Sequence, residues 1–182
     1  MDQNIKIPNI LAIIGSASAH SSNQKLVEYI ASQTKGGLNF TVLQDLKRLP
    51  HFDPELSVSN PPESVTKLRN QIESADAILI CTPEYVFSIP SGLKNALEWC
   101  VATTVFSGKA VGIITASADG EKGHEELQLI LETLMVRLDK GTTLLIKGIK
   151  GKMDPQGQII DAKTQTELLN FIEAFKALAS AG

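Results

Sequence analysis

The stretch Ala77-Ile78-Leu79-Ile80-Cys81-Thr82-Pro83 decides the fold. Its apolar residues follow one another without alternation until a Thr-Pro step ends them. A strand with one wet face alternates apolar and polar residues. A continuous run suits a strand buried on both faces, which is the situation of a parallel sheet. Working outward, similar runs occupy Ile10–Ile14, Ala110–Thr115 and Thr142–Ile146, each stopping at small or turn-forming residues. A weaker, alternating run covers Asn39–Leu43, with Phe40 and Val42 on one side.

Between and after these runs the apolar spacing changes to that of a helix. Asn23–Thr34 carries Leu26, Val27 and Ile30; Pro61–Ala75 carries Val65, Leu68 and Ile72. Ser91–Ala102 carries Leu93, Leu97 and Cys100; His124–Leu138 carries Leu127, Leu131 and Leu134; Lys163–Ala179 carries Leu168, Ile172 and Phe175. A strand followed by a helix, five times over, predicts an α/β fold with a parallel sheet and helices on both faces. Right-handed crossovers leave the doubly wound arrangements. One domain over residues 1–182 is expected at this length. Pro50–Pro62 reads as an irregular surface connection, and Lys147–Asp161 as a hairpin-like excursion before the last helix.

Composition narrows the classes. The net charge is −3, with 43% apolar and 20% charged residues. That argues against disorder and against a globally basic partner for nucleic acid or a membrane surface. No apolar run approaches the roughly 18 residues of a membrane span. The first residues lack the basic and apolar regions of a signal peptide. Cys81 and Cys100 stand in apolar surroundings and read as buried thiols of a reducing cytosol. A cytoplasmic protein is expected.

Ligands of open α/β sheets bind beyond the carboxyl ends of the strands, where the strand order switches. The loops after strands one, three and four are therefore the candidates. The first, residues 15–23, reads Gly-Ser-Ala-Ser-Ala-His-Ser-Ser-Asn. It offers the hydroxyls of Ser16, Ser18, Ser21 and Ser22 and runs into a helix N-terminus, without a Lys or Arg. Such a loop suits a terminal monophosphate held by dipoles. It is equally readable as a flexible turn in which Ser21 or Ser22 caps the helix. The second loop is bounded by Pro83 and Pro90 and carries Tyr85 and Phe87. It suits the edge of a flat heteroaromatic ring, or it is a rigid turn whose aromatics are core or interface residues. The third supplies Ser117, Gly120 and Gly123, small residues that let a ligand approach the backbone. The phosphate-loop and dinucleotide fingerprints are absent from the sequence. His20, His51 and His124 lack metal-ligand spacing, so no metal is expected.

The first two loops together resemble those of the NAD(P)H-dependent FMN reductase family, the flavodoxin-like quinone, azo-dye and chromate reductases. The family's first loop reads roughly Gly-Ser-x-Arg-x-x-Ser-x-Asn, against Gly15 to Asn23 here. Its second signature, Pro-Glu-Tyr-x-x-(small)-x-Pro-x-x-Leu-Lys-Asn-Ala-x-x-Trp, matches Pro83 to Trp99 in order and spacing. The resemblance implies a flavodoxin-like sandwich around a five-stranded parallel sheet. It implies FMN as cofactor and NADPH or NADH as co-substrate, with a quinone, azo compound, flavin or metal oxyanion receiving the electrons in a ping-pong order. Ser16, Ser18, Ser21, Ser22 and Asn23 would surround the phosphate. Pro83, Glu84, Tyr85, Val86, Phe87 and Ser88 would line the isoalloxazine, with Ser117 and Gly120 meeting it from the third loop. The flavin carries the chemistry, so no catalytic side chain is required. Glu84 reads as a general acid or as a structural residue; Lys94 and Asn95 read as ties that fix the loop or a subunit contact. A homodimer or homotetramer is implied, with Trp99 and Phe106 as interface candidates. Two residues depart from the family: Ser18 stands at its frequent Arg and Val86 at its frequent Asn. The alternative is a flavodoxin-like electron carrier that does not itself oxidise NAD(P)H.

Overall fold

A computed structural model describes residues 6–43 and 46–181. Five strands form the sheet: β1 (Asn9–Ile14), β2 (Asn39–Val42), β3 (Ala77–Thr82), β4 (Ala110–Ser117) and β5 (Thr143–Lys147). The helices are α1 (Ser22–Gln33), α2 (Pro54–Ser59), α3 (Glu63–Ser74), α4 (Ser91–Glu98), α5 (Glu121–Thr133) and α6 (Ala162–Ser180). All strand pairs are parallel, in the order β2-β1-β3-β4-β5. The order therefore switches between β1 and β3.

The strand side chains explain why the runs are continuous. Ile10, Ala12, Leu79, Cys81 and Ile114 face α1 and α6, packing with Leu26, Ile30, Phe171 and Phe175. Their neighbours Leu11, Ile13, Ile78, Ile80 and Ile113 face α3, α4 and α5, packing with Leu68, Ile72, Leu97 and Leu131. All six residues of β3 are buried. Each such Leu or Ile withdrawn from water contributes about 1.5–3 kcal/mol, so the sheet is fixed from both sides.

Several boundaries differ from the sequence expectation. The stretch read as irregular holds α2, begun by the Asp53 carboxylate, which accepts from the N–H groups of Glu55 and Leu56, and by Pro54. The fifth helix starts at Glu121 and ends at Thr133, short of Leu138. Met135 turns left-handed (φ 57°) and Arg137 pairs with Ala110 at the start of β4, so the apolar period runs on past the helix itself. The fourth helix ends at Glu98. The excursion before α6 contains one 3-10 turn at Ile149–Gly151 and a single antiparallel bridge from Met153 to Ile159.

The interface expectation for Trp99 and Phe106 is corrected. Both are buried within the chain, Trp99 at 0% exposure. Trp99 donates its indole N–H to Pro50 O (2.8 Å) and meets Phe52 edge to face. No helix among the described residues is long and apolar enough to cross a membrane.

Candidate active site

The switch between β1 and β3 opens a crevice at the carboxyl ends of the strands. Gly15 begins it: its N–H donates to Cys81 O (2.9 Å), and a Cβ there would collide with the side chain of Thr82. The chain can pass this close to β3 only as glycine. From there the first loop rises and returns at Ser21, whose Oγ accepts from Gln24 N–H (3.1 Å) and caps α1. The cap and the ligand readings of this serine are compatible, because its hydroxyl proton stays available.

A cavity of about 680 Å³ lies over the crevice. That is within the range of roughly 300–1,000 Å³ common for cofactor sites. Its wall brings together Ser16, Ser18, Ser21, Ser22 and Asn23 of the first loop with Pro83, Glu84 and Tyr85 of the second and Ser117 of the third. Val86, Phe87, Ser88 and Gly120 of the expected set do not line it. The sequence reading missed a fourth contributor, the turn after β5: Gly148, Ile149, Lys150 and Gly151 close one side. His20 and the strand end Ala116–Ala118 complete the wall.

The cavity has two unlike ends. Around the first loop, the backbone N–H groups of His20, Ser21 and Ser22, all residues of the cavity wall, find no hydrogen-bond partner among the described residues. Those of Ser21 and Ser22 belong to the N-terminus of α1, where the helix dipole adds partial positive charge. Here the donor chemistry fits an oxyanion such as a phosphate. At the other end stand Pro83, Tyr85 and peptide groups, a surface suited to the face and edge of a planar ring. The Tyr85 hydroxyl joins the two ends, 3.3 Å from Ser16 Oγ.

Asn23, on the cavity wall, also has a structural role. The residue is 3% exposed. Its Nδ2 donates to Ala116 O (3.2 Å) and its Oδ1 accepts from the Cys81 thiol (3.3 Å). The amide thus staples the start of α1 to β3 and β4. Burial pushes the thiols of Cys81 and Cys100 up, that of Cys100 to about 12 with Arg69 opposing, so neither is a thiolate at neutral pH.

The second loop is held by acids of and beside α5. Glu84 accepts the N–H of Gly123 (2.8 Å) in the first turn of that helix. Glu126 accepts from Ser88 Oγ (2.6 Å), Ile89 N–H (3.0 Å) and Lys94 Nζ (3.1 Å). Burial pushes the Glu126 carboxyl up, but these three donors outweigh it and hold it below the usual range. Asn95, the other residue read as a tie, accepts from Phe52 N–H and donates to Pro50 O. Between these anchors Tyr85 and Ser88 exchange both backbone hydrogen bonds, leaving Val86 and Phe87 at the tip, both left-handed (φ 52° and 59°). That conformation is costly for a β-branched residue. The two tip residues are 93% and 75% exposed.

With this geometry in place, similarity to known proteins identifies the family. The family model described as NADPH-dependent FMN reductase matches residues 8–143. An NAD(P)H-dependent FMN reductase of Pseudomonas aeruginosa is 30% identical, with 97% of this chain and 96% of that protein covered. A quinone reductase of Escherichia coli K12 is 29% identical over 91% of this chain and 92% of its own length. Among solved structures, a flavoenzyme NAD(P)H:(acceptor) oxidoreductase of Paracoccus denitrificans superposes with a TM-score of 0.84. It is 27% identical over 96% of this chain and 98% of that one. The flavodoxin-like fold, the use of FMN and the oxidation of NAD(P)H follow from these matches. The chain belongs to the NADPH-dependent FMN reductase family.

Proposed function

We propose that FMN lies across the cavity with its phosphate among Ser16, Ser18, Ser21, Ser22 and the N–H groups that begin α1. Its ring lies toward Pro83, Glu84, Tyr85 and Ser117. The observation that carries this reading is the cavity's polarity: unpartnered donors at one end, proline and tyrosine at the other. When bound, FMN supplies the two-electron relay between a nicotinamide and an acceptor. The residues do the rest. Asn23 sets the height of the first loop over the strands, and Ser16 and Tyr85 align the two ends. Glu84, tied to Gly123, holds the ring-side loop. Ser88 acts through Glu126, and Gly120 turns the chain from β4 into α5. Val86 and Phe87 form the rim over which a co-substrate enters.

The second substrate is a small-molecule acceptor. The name of the Escherichia coli relative supports a quinone, with azo compounds, free flavins and metal oxyanions as further candidates. The electron-carrier alternative is not favoured, because these relatives are named as reductases. A homo-oligomer in the cytoplasm completes the reading. The exposed Val86, Phe87 and Leu129 support an apolar contact surface, and the two free, buried thiols suit a reducing compartment.

The test is an absorption spectrum of the protein after FMN addition and gel filtration, repeated anaerobically with NADH and NADPH, then with benzoquinone. The reading expects a retained flavin band that bleaches with a nicotinamide and returns with the quinone. A band that no nicotinamide bleaches, or no flavin binding in a direct titration, would overturn it.

A further inference from the structure

The first loop offers a phosphate dipoles and the imidazole of His20, but no fixed cation, since residues 15–23 contain neither Lys nor Arg. A phosphate monoester carries a charge of roughly −1.5 to −2 at neutral pH. The cavity wall has one Lys or Arg, Lys150, and it comes from the turn after β5.

Lys150 is mounted rigidly. Gly148, left-handed at φ 64°, donates its N–H to Ser117 O (2.8 Å) and Ala118 O (3.1 Å), which fixes the turn against the end of β4. Ile149 is buried, and Gly151 N–H closes the turn on Gly148 O (3.0 Å). The ammonium itself is exposed and has no acid or carbonyl partner among the described residues. Neighbouring cations are committed. Lys147 pairs with Asp119 and Glu121 at 2.7 Å each, and Lys25 of α1 donates to Pro155 O. That last bond also draws the excursion after the turn against α1. The lone acid on the wall, Glu84, accepts the Gly123 N–H with one oxygen, and no ion pair joins it to Lys150 among the described residues.

We propose that Lys150 supplies the countercharge for the phosphate of FMN, in place of an arginine at position 18. The inference rests on the reading that FMN occupies this cavity. A lysine serves here because a compact point charge on a flexible stem needs no planar partner geometry. The same residue makes the site prefer a flavin bearing a terminal phosphate over one without.

The experiment titrates the protein with FMN and with riboflavin, which lacks the phosphate, by flavin fluorescence at several salt concentrations. Wild type, Lys150→Ala, Lys150→Arg and the double variant Lys150→Ala with Ser18→Arg are compared. Circular dichroism checks that each folds, as an exposed residue on a preformed turn predicts. Lys150→Ala should weaken FMN roughly tenfold, as loss of one charge-assisted contact does, and flatten its salt dependence. Riboflavin affinity should not move, and both arginine variants should recover FMN affinity. FMN and riboflavin weakening together would overturn the proposal by placing Lys150 at the ring. Unchanged FMN affinity, with wild type still preferring FMN over riboflavin, would overturn it alone. A wild type that binds the two flavins equally would overturn the phosphate placement in the first loop, and Lys150 with it.

Discussion

The loops after β1 and β3 sit side by side on the same cavity and are built in opposite ways. The second is finished before any ligand arrives. Two carboxylates, Glu84 and Glu126, take up N–H, hydroxyl and ammonium donors around it, and its own turn closes with two backbone bonds. The first has its backbone anchored mainly at its ends, by Gly15 on Cys81, by the Ser21 cap and by Asn23 on Ala116 and Cys81. Between them, Ser18 N–H reaches Ser16 Oγ and little else holds the backbone. A row of free donors is costly to bury and cheap to leave facing water. The difference teaches that the ring-side loop is a preorganised template, whereas the phosphate-side loop completes its bonds with the ligand.

The sharpest way to break this comparison is at the staple. Asn23→Ala removes both buried bonds, to the Ala116 carbonyl and from the Cys81 thiol. It should cost about 2–3 kcal/mol in urea unfolding and weaken FMN binding through lost loop position. A variant that binds FMN normally would move the control of that loop elsewhere. Next, Glu126→Ala releases Ser88, Ile89 and Lys94 at once. A loss of about 1–3 kcal/mol is expected, with faster amide exchange at Ile89. Exchange unchanged there would mean that the turn holds itself. Third, Val86→Asn places a residue tolerant of the left-handed region where valine is strained. The thermal midpoint should rise, by an amount corresponding to about 1 kcal/mol. A fall would show that the tip's conformation is relaxed or that Val86 packs on a partner.

The smallest effect concerns His124, whose Nδ1 lies 2.8 Å from Thr115 Oγ1 under the third loop. Burial holds its pKa below the ordinary value near 6.5, with Glu125 opposing. The unfolded chain therefore binds the proton more readily than the folded one. Stability from this group is full above about pH 6.5 and is lost as pH falls toward the folded value. Unfolding at pH 7 and pH 5.5 should show the slope in wild type and a reduced slope in His124→Gln. Equal slopes would remove the assignment.

The centre of the sheet was legible because β1, β3 and β4 are buried on both faces, and short apolar runs such as Ile10–Ile14 and Ala77–Cys81, ended by turn residues, suit strands so placed. The ends of α5 were not legible. Leu134 and Leu138 continue the helical period, but Met135 turns left-handed and the chain goes on to pair with β4. At the site, residue type gave the loops and missed the ties. Asn23 looks like a ligand contact in sequence, and only the approach of β3 and β4 shows both ends of its amide occupied. Glu126 lies 38 residues from the serine it holds, so spacing carries no sign of it. The turn after β5 falls within Lys147–Asp161, which reads in sequence as a hairpin-like excursion; nothing in Gly148, Lys150 and Gly151 by themselves places them on the wall of a cavity formed by the loops after β1, β3 and β4.

The most direct test of the account is amide hydrogen exchange across residues 16–22 and 85–89, with and without FMN. The account predicts that Tyr85, Ser88 and Ile89 are already slow without the cofactor, and that FMN slows Ala17 to Ser22 far more. Protection by FMN confined to 85–89, with 16–22 unchanged, would contradict it.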